Sequence, residues 1–123
     1  MEEEDYVSHA TAKLLKEKGF DWRTYAYYED EDNPNISLRA SKAINWNKTE
    51  FISKPTLQEA CKWLRKVHNI VIVVIPSMFW GKYNVRIYKR GIDYPIGFDG
   101  DSLCPSHEQA YDIAIKHCSK NLI

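Results

Sequence analysis

Long apolar runs are absent from this sequence of 123 residues. The longest run, Ile70 to Ile75, has six residues and is followed by Pro76. A membrane-spanning helix needs roughly 18 or more consecutive apolar residues. We therefore expect no membrane partner. The opening MEEED also lacks the basic start and apolar stretch of a secretory signal, so the pattern predicts a cytoplasmic protein.

Cysteine is scarce, and its three positions, Cys61, Cys104 and Cys118, are widely and unequally spaced. An odd number at such spacings excludes the paired framework of a small secreted disulfide protein. We expect free thiols instead. Cys61 and Cys118 fall on the apolar sides of predicted helices, where a reduced cysteine packs like a small hydrophobe, so neither is expected to be reactive.

Catalytic signatures are missing as well: the sequence contains no GxGxxG, Walker A or HExxH pattern. Cys61 and His68 share a helix face but lie about 10.5 Å apart along its axis, too far for proton transfer. Asp99 and Asp101 flank Gly100 without the spacing of an EF-hand, which favours an ordinary turn. The sequence therefore predicts a non-enzymatic protein with no cofactor.

One metal-like spacing remains, formed by Cys104, His107, His117 and Cys118. These residue types bind zinc, but two adjacent residues on a helix point about 100° apart and do not make a second close ligand pair. The favoured interpretation is a loop cysteine, a helix start and a packed thiol. A metal-dependent enzyme using Cys104, His107 and His117 stays open as the last alternative.

Charge is balanced overall, with 17 basic and 17 acidic residues, but unevenly distributed. Residues 1–32 contain ten acidic and four basic side chains, residues 33–98 contain three and eleven, and residues 99–123 contain four and two. The basic middle could attract a polyanion such as nucleic acid. Self-neutralisation by the acidic segments at 2–5 and 29–32 is the favoured interpretation.

The first half of the chain contains a helix and a hairpin pattern. Helical spacing predicts a helix from about residue 8 to 18, ended by Gly19 in a left-handed cap. Aromatic, β-favouring residues on either side of an acidic turn predict antiparallel strands at Thr24–Tyr28 and Ile36–Arg39. Residues 41–54 have no periodicity that distinguishes a strand from an irregular loop.

Two capping boxes predict the starts of two further helices. In the first, Thr56 and Glu59 each satisfy the other's backbone N–H, and in the second Ser106 and Gln109 do the same before a helix at about 107–119. At 100° per residue the first of these helices has an apolar stripe with Trp63 at its edge. The stripe comprises Leu57, Ala60, Cys61, Leu64, Val67 and His68.

The run Ile70 to Ile75 is β-branched throughout, which is typical of a central strand covered on both faces. Tyr83 to Tyr88 alternates apolar and polar residues and predicts an antiparallel neighbour that buries Tyr83, Val85 and Ile87.

The fold class predicted is α+β: a single domain, 1–123, with three helices packed on a mostly antiparallel sheet of about four strands. Residues 1–6 are expected to form a mobile acidic tail. The side chains expected in the core are Leu14, Leu64, Ile72, Val74 and Ile113.

The segment 79–91 mixes aromatic and basic residues and is the main candidate surface. Aromatic and Arg side chains dominate protein interfaces, so a protein partner is favoured, with a homo-oligomer as one form of it. Single-stranded nucleic acid is the alternative, since rings stack on bases and cations contact phosphates. The candidate residues are Met78, Phe79, Trp80, Lys82, Arg86, Tyr88, Lys89 and Arg90.

Three blocks, at residues 6–22, 55–70 and 111–123, resemble a family of small uncharacterised proteins from gut bacteria and their phages. The blocks contain helix and cap residues rather than catalytic motifs, so the resemblance carries over no active site. It implies an intracellular accessory protein whose gene could lie on a mobile element. Residues 23–54 depart from the family with their own acidic turn.

Overall fold

The structure is a computed structural model that describes residues 5–29, 32–33, 35–76, 83–91 and 106–123. The chain divides into two compact units, Met1–Ala60 and Cys61–Ile123. None of the helices within the described ranges has the length and apolarity to cross a membrane. The elements, in chain order, are α1 (His9–Glu17), β1 (Thr24–Tyr28), β2 (Ser37–Ile44), a 3₁₀ turn (Trp46–Lys48), β3 (Ile52–Lys54), α2 (Leu57–His68), β4 (Ile70–Pro76), β5 (Tyr83–Lys89) and α3 (His107–Asn121).

The predicted α+β class is confirmed, with three helices and antiparallel strand pairing throughout the described residues. The strands form two sheets. The first unit contains a three-stranded sheet in the order β2–β1–β3, and the second unit contains a two-stranded sheet of β4 and β5. The sequence analysis expected about four strands in one sheet.

The predicted left-handed cap at Gly19 ends α1 in the structure. Gly19 has φ +91°, a left-handed conformation that costs glycine little because it has no Cβ. Its N–H donates to the carbonyl of Lys16 at 3.2 Å, and the Phe20 N–H donates to the carbonyl of Leu15 at 2.9 Å. This is the Schellman pattern. Phe20 and Leu15 are both fully buried, so the cap also adds an apolar contact to the core.

The predicted hairpin is confirmed, since β1 and β2 pair antiparallel and β1 has the expected bounds. The second strand is longer than expected and reaches Ile44. The rest of the undecided segment 41–54 contains the 3₁₀ turn and β3, which pairs with the other edge of β1. The central strand of this sheet is therefore β1.

Burial along β1 alternates, as expected for a strand covered on one face. Thr24, Ala26 and Tyr28 are buried. The Tyr28 hydroxyl donates to the carbonyl of Val7 at 3.1 Å, which satisfies the polar end of this buried ring. Helix α1 packs against β3. The core of the first unit is formed by Val7, Thr11, Ala12, Leu15, Phe20, Thr24, Ala26, Tyr28, Ile52, Pro55, Leu57 and Ala60.

The Thr56–Glu59 capping box is confirmed. The Thr56 N–H donates to the Glu59 carboxylate at 2.9 Å, and the Glu59 N–H donates to the Thr56 hydroxyl at 3.1 Å. The carbonyl of Asp5 accepts the Leu57 N–H at 2.9 Å, and Tyr6 forms a β-bridge with Thr56. The start of α2 therefore holds Asp5 and Tyr6, which belong to the predicted acidic tail.

The predicted orientation of α2 is wrong at two positions. Trp63, expected at the edge of the apolar stripe, is buried, whereas Val67, expected within it, is 50% exposed. Burying an indole removes far more apolar surface from water than burying a valine, so the helix turns its largest side chain inward. The helix ends at His68, and the next residue, Asn69, has a φ of +59°, which asparagine tolerates better than most residues do.

The predicted central position of β4 is also wrong. β4 pairs with β5 alone within the described residues, so among them it is an edge strand of a two-stranded sheet. Helix α3 packs against both strands. Ile70 and Ile72 are buried, but Val71 is 39% exposed. The apolar run Ile70 to Ile75 is therefore covered mainly on one face. Among the described helices, α3 packs against the strand, and a single helical layer covers only the alternate side chains that point towards it.

The α3 helix begins with the second predicted cap, in which the Gln109 N–H donates to the Ser106 hydroxyl at 3.1 Å. It continues to Asn121, past the expected end at about residue 119. Its buried apolar residues are Ala110, Ala114, Ile115 and Cys118.

The expected core positions have mixed outcomes. Leu64 and Ile72 are buried, as predicted. Leu14 and Val74 are half-buried, and Ile113 is 42% exposed. Each helix buries a narrower stripe than its apolar content suggested, since a single packing layer covers only one face of a helix.

The corrected orientation of α2 predicts unequal effects of truncation at two neighbouring positions. Leu64→Ala should lower the free energy of unfolding by about 2–5 kcal/mol, because it leaves a cavity at a fully buried site. Val67→Ala should change it by less than about 0.5 kcal/mol, because the side chain is half exposed. Urea denaturation followed by circular dichroism measures both. Equal losses would contradict this orientation.

Candidate functional site

The outward face of the β4–β5 hairpin contains two residues of the predicted interaction surface, Arg86 and Tyr88. Residues opposite each other in an antiparallel pair lie on the same face. The register places Val71 opposite Tyr88 and Val73 opposite Arg86. These pairs, together with the pair Ile75–Asn84, are the six residues that we call the outer hairpin face.

The opposite face of the hairpin is the one that α3 contacts. Val85 and Ile87 are buried there, as the alternation of β5 predicted, and they lie opposite Val74 and Ile72 respectively. Since α3 packs against both strands, these residues form the core of the second unit together with Ala114, Ile115 and others.

The outer hairpin face keeps its side chains partly in solvent. Arg86 is exposed, Val71 is more than one-third exposed, and Val73, Ile75 and Tyr88 are half-buried. Among the described residues of this hairpin the charged side chains are Arg86, Lys89 and Arg90, all cationic. The face is therefore apolar along β4, and its β5 side contains one cation, Arg86.

The eight residues nominated from the sequence do not form a single surface. Arg86 and Tyr88 share the outer hairpin face, but Lys89 lies opposite Ile70 and so faces the covered side. The pKa of the nearby His68 is lowered by burial and by the charge of Lys89, which agrees with that position. Arg90 follows the strand in a turn, where its N–H donates to the carbonyl of Asn69 at 3.0 Å.

Part of the predicted site lies outside the described residues. These are Met78, Phe79, Trp80 and Lys82.

The metal candidates are not brought together in the described part of the chain. Cys104 lies outside it, and no group of three or more His, Cys, Asp or Glu residues within it is arranged to hold a metal ion. The amide of Asn121 lies 3.2 Å from Nδ1 of His117 on the same helix. His107 is the first residue of α3.

Cys61 and Cys118 are free thiols in the second unit, half-buried and buried respectively. Burial raises the pKa of each thiol to about 12. Arg65 opposes this shift at Cys61, whereas the charge of Cys61 adds to it at Cys118. Since the thiolate is the nucleophile, these cysteines are poorly suited to covalent catalysis.

The structure also groups residues that the sequence analysis left apart. Four of them belong to the segment 41–54, whose lack of periodicity concealed them, and the other two lie in β1 or directly before it. The sequence NWN at 45–47 was a usable signal, because asparagine side chains commonly cap tight turns. The residues are Arg23, Lys42 and Lys48, around an open concavity, and Tyr27, Trp46 and Phe51, in an aromatic cluster.

Comparison of the chain with protein-family models, curated proteins and solved structures finds no match. The resemblance to small proteins of gut bacteria and phages therefore stays a prediction.

The pKa of the two thiols predicts slow labelling of the folded protein. In a Cys104→Ser variant, which retains Cys61 and Cys118, reaction with a disulfide reagent near pH 8 should be about a thousandfold slower than for free cysteine, because a pKa of about 12 rather than 9.0 reduces the thiolate fraction by that factor. The same protein in concentrated urea is the control and should react fully. Rapid labelling of the folded state would contradict the burial of both thiols.

The same shifts predict loss of stability in alkali. The thiols of the unfolded chain ionise near pH 9, whereas those of the folded chain stay protonated until about pH 12. The unfolded state therefore binds fewer protons in this window, and the free energy of unfolding falls as pH rises. Urea denaturation at about pH 8 and pH 10.5 measures the loss, which should be smaller in a Cys118→Ala variant than in the parent.

Proposed function

We propose that this protein is a non-enzymatic interaction module that binds a protein partner through the outer hairpin face. The observation that carries the proposal is the row Val71, Val73 and Ile75, three successive β-branched side chains of one strand face that stay partly in solvent. Contiguous exposed apolar surface with a polar rim is typical of interaction sites.

The neighbouring strand supplies the residue types that dominate binding energy at interfaces. Tyr88 lies directly across from Val71, and Arg86 across from Val73. Tyrosine and arginine are enriched among interface residues whose truncation costs the most affinity. The aromatic ring and the guanidinium therefore border the apolar row along its length.

The charge of the hairpin favours a particular partner. The described hairpin has three cations and no carboxylate, so we infer a partner surface that combines apolar and acidic side chains. A second copy of this chain fits less well, because two such hairpins would bring like charges together. In the sequence, Met78, Phe79 and Trp80 lie between the residues of β4 and those of β5, and the proposal retains them as interface residues.

A reducing, cytoplasmic location belongs to the same proposal. Its support is that Cys61 and Cys118 are free thiols, the state that cytosolic proteins usually maintain.

The proposal predicts that reversing one charge on the outer hairpin face disrupts partner capture. Immobilised parent protein, Arg86→Glu and Arg65→Glu are each used to capture proteins from a lysate of the cells that make this protein, followed by quantitative mass spectrometry. Arg65 is exposed on α2, so its variant is a control with the same charge change. A partner that the parent and the control retain should bind Arg86→Glu at least about tenfold more weakly when purified and titrated, as expected for an interface arginine.

Three outcomes would count against the proposal. Equal capture by all three proteins would show that binding does not use this face. Dissociation of a dimer by Arg86→Glu in sedimentation experiments would identify a second copy as the occupant. Protection of Val71 and Tyr88 from hydroxyl-radical labelling in the isolated protein would mean that the chain covers this face itself.

A further inference from the structure

An open basic concavity of about 470 Å³ lies in the first unit, where the β1–β2 ladder ends. Its volume is within the range of small-molecule sites, about 300–1,000 Å³. We call it the basic concavity. It is lined by Arg23, Lys42, Ala43, Ile44, Asn45 and Lys48.

Strand pairing brings its three cations together from distant positions in the sequence. Thr24 pairs with Ile44, which sets Arg23, just before β1, beside the end of β2 that contains Lys42. The 3₁₀ turn then begins after Asn45 and ends at Lys48. The concavity is therefore built by the hairpin and the turn that follows it.

The turn is held in place by three side-chain hydrogen bonds to the backbone. The Trp46 indole N–H donates to the carbonyl of Thr24 at 2.7 Å. The Asn47 amide donates to the carbonyl of Phe20 at 2.8 Å and accepts the Ser53 N–H at 2.8 Å. Since these partners belong to three separate segments, the backbone around the concavity is fixed before any ligand binds, which lowers the entropic cost of binding.

The cations of the basic concavity are not neutralised by contact with described carboxylates. Arg23, Lys42 and Lys48 are all exposed, and no carboxylate lies among the lining residues. Asp21 and Glu50 are near them in sequence, but neither forms an ion pair with them among the described residues. The concavity therefore offers a concentrated positive charge to an anion.

The turn that contains Lys48 also contains Trp46, which belongs to an aromatic cluster and is not itself among the lining residues of the concavity. The rings of Tyr27 and Trp46 are stacked, with centroids 4.0 Å apart and planes at 24°. Phe51 lies 5.1 Å from Tyr27. All three residues are half-buried, so part of their surface stays accessible to solvent.

This combination selects one class of ligand over its competitors. A free phosphate ion would use the cations but not the rings. Duplex DNA presents its phosphates, but its bases stay paired and stacked within the helix. A single strand presents phosphates and unstacked bases together, and proteins bind it with cationic grooves lined by aromatic side chains.

We propose that the basic concavity binds the phosphates of single-stranded nucleic acid through its three cations, with an adjacent base against the Trp46 indole. The residues of this site belong to the first unit, whereas those of the outer hairpin face belong to the second. It also differs from the segment 79–91, which the sequence had suggested for nucleic acid.

The test is fluorescence anisotropy with a labelled oligothymidine of about twelve nucleotides, long enough for one binding fold. The site variant combines Arg23→Ala, Lys42→Ala and Lys48→Ala. The control variant combines Lys62→Ala, Arg65→Ala and Lys66→Ala, which removes one arginine and two lysines from exposed positions of α2. Circular dichroism verifies that both variants are folded.

For the parent protein, a plot of log Kd against log salt concentration should have a slope of about 2. Each of three phosphate contacts to a single strand contributes about 0.7 to this slope. The site variant should lose at least about tenfold in affinity at low salt and most of this slope, and the control should keep both. A charge-retaining variant with Arg23→Lys, Lys42→Arg and Lys48→Arg should bind like the parent.

Four results would overturn the inference. Absence of binding at low salt would remove it outright. Equal loss in the site and control variants would indicate non-specific attraction by net charge. Loss of binding in a variant with Arg86→Ala, Lys89→Ala and Arg90→Ala, together with unchanged binding by the site variant, would show that nucleic acid contacts β5 and the turn after it instead. Competition by a duplex or by inorganic phosphate as strong as that of unlabelled single strand would exclude recognition of bases.

Discussion

A strand that is covered on one face buries every second side chain, and the outer hairpin face depends on this constraint. Helix α3 packs against β4 and β5, and the residues buried there include Ile70, Ile72 and Ile87. The pleat then directs Val71 and Val73 to the other side. Each square ångström of apolar surface left in water forgoes about 25 cal/mol of stabilisation, so binding a partner to this face would recover free energy that folding alone does not.

The first unit obeys a different constraint in the stretch between β2 and β3. There the strand ladder stops, and backbone groups need other partners, since a buried polar group without one costs about 1–3 kcal/mol. Asn47 and Trp46 provide them, through hydrogen bonds to Phe20, Ser53 and Thr24. The same bonds position the cations of the basic concavity. Structural support and the candidate binding site thus arise from the same turn.

Local features of the chain were predictable because their physics is local. Gly19 ends α1 with a positive φ, and the Thr56 and Ser106 caps begin α2 and α3 through hydrogen bonds spanning three residues. The pairing of β4 with β5, and the alternation that exposes Arg86, also follow from sequence pattern. What pattern alone could not predict is which of several apolar residues a helix buries. In α2, Trp63 was expected at the edge of the apolar stripe and is buried, whereas Val67 was expected within the stripe and is half exposed. The reason is that burial depends on the layer that the helix contacts.

The candidate sites divide in the same way. The basic and aromatic residues of β5 lie close together in the sequence, so the sequence by itself determined Arg86 and Tyr88 as surface candidates. It also determined the helix caps and the α+β class. Tertiary structure alone decided that the six-residue apolar run of β4 keeps one face partly in solvent, and that Arg23 meets Lys42 and Lys48. The physical reason is that capping and strand alternation act over a few residues, whereas a concavity or a covered face is formed by segments that are distant in the chain and meet only when it folds.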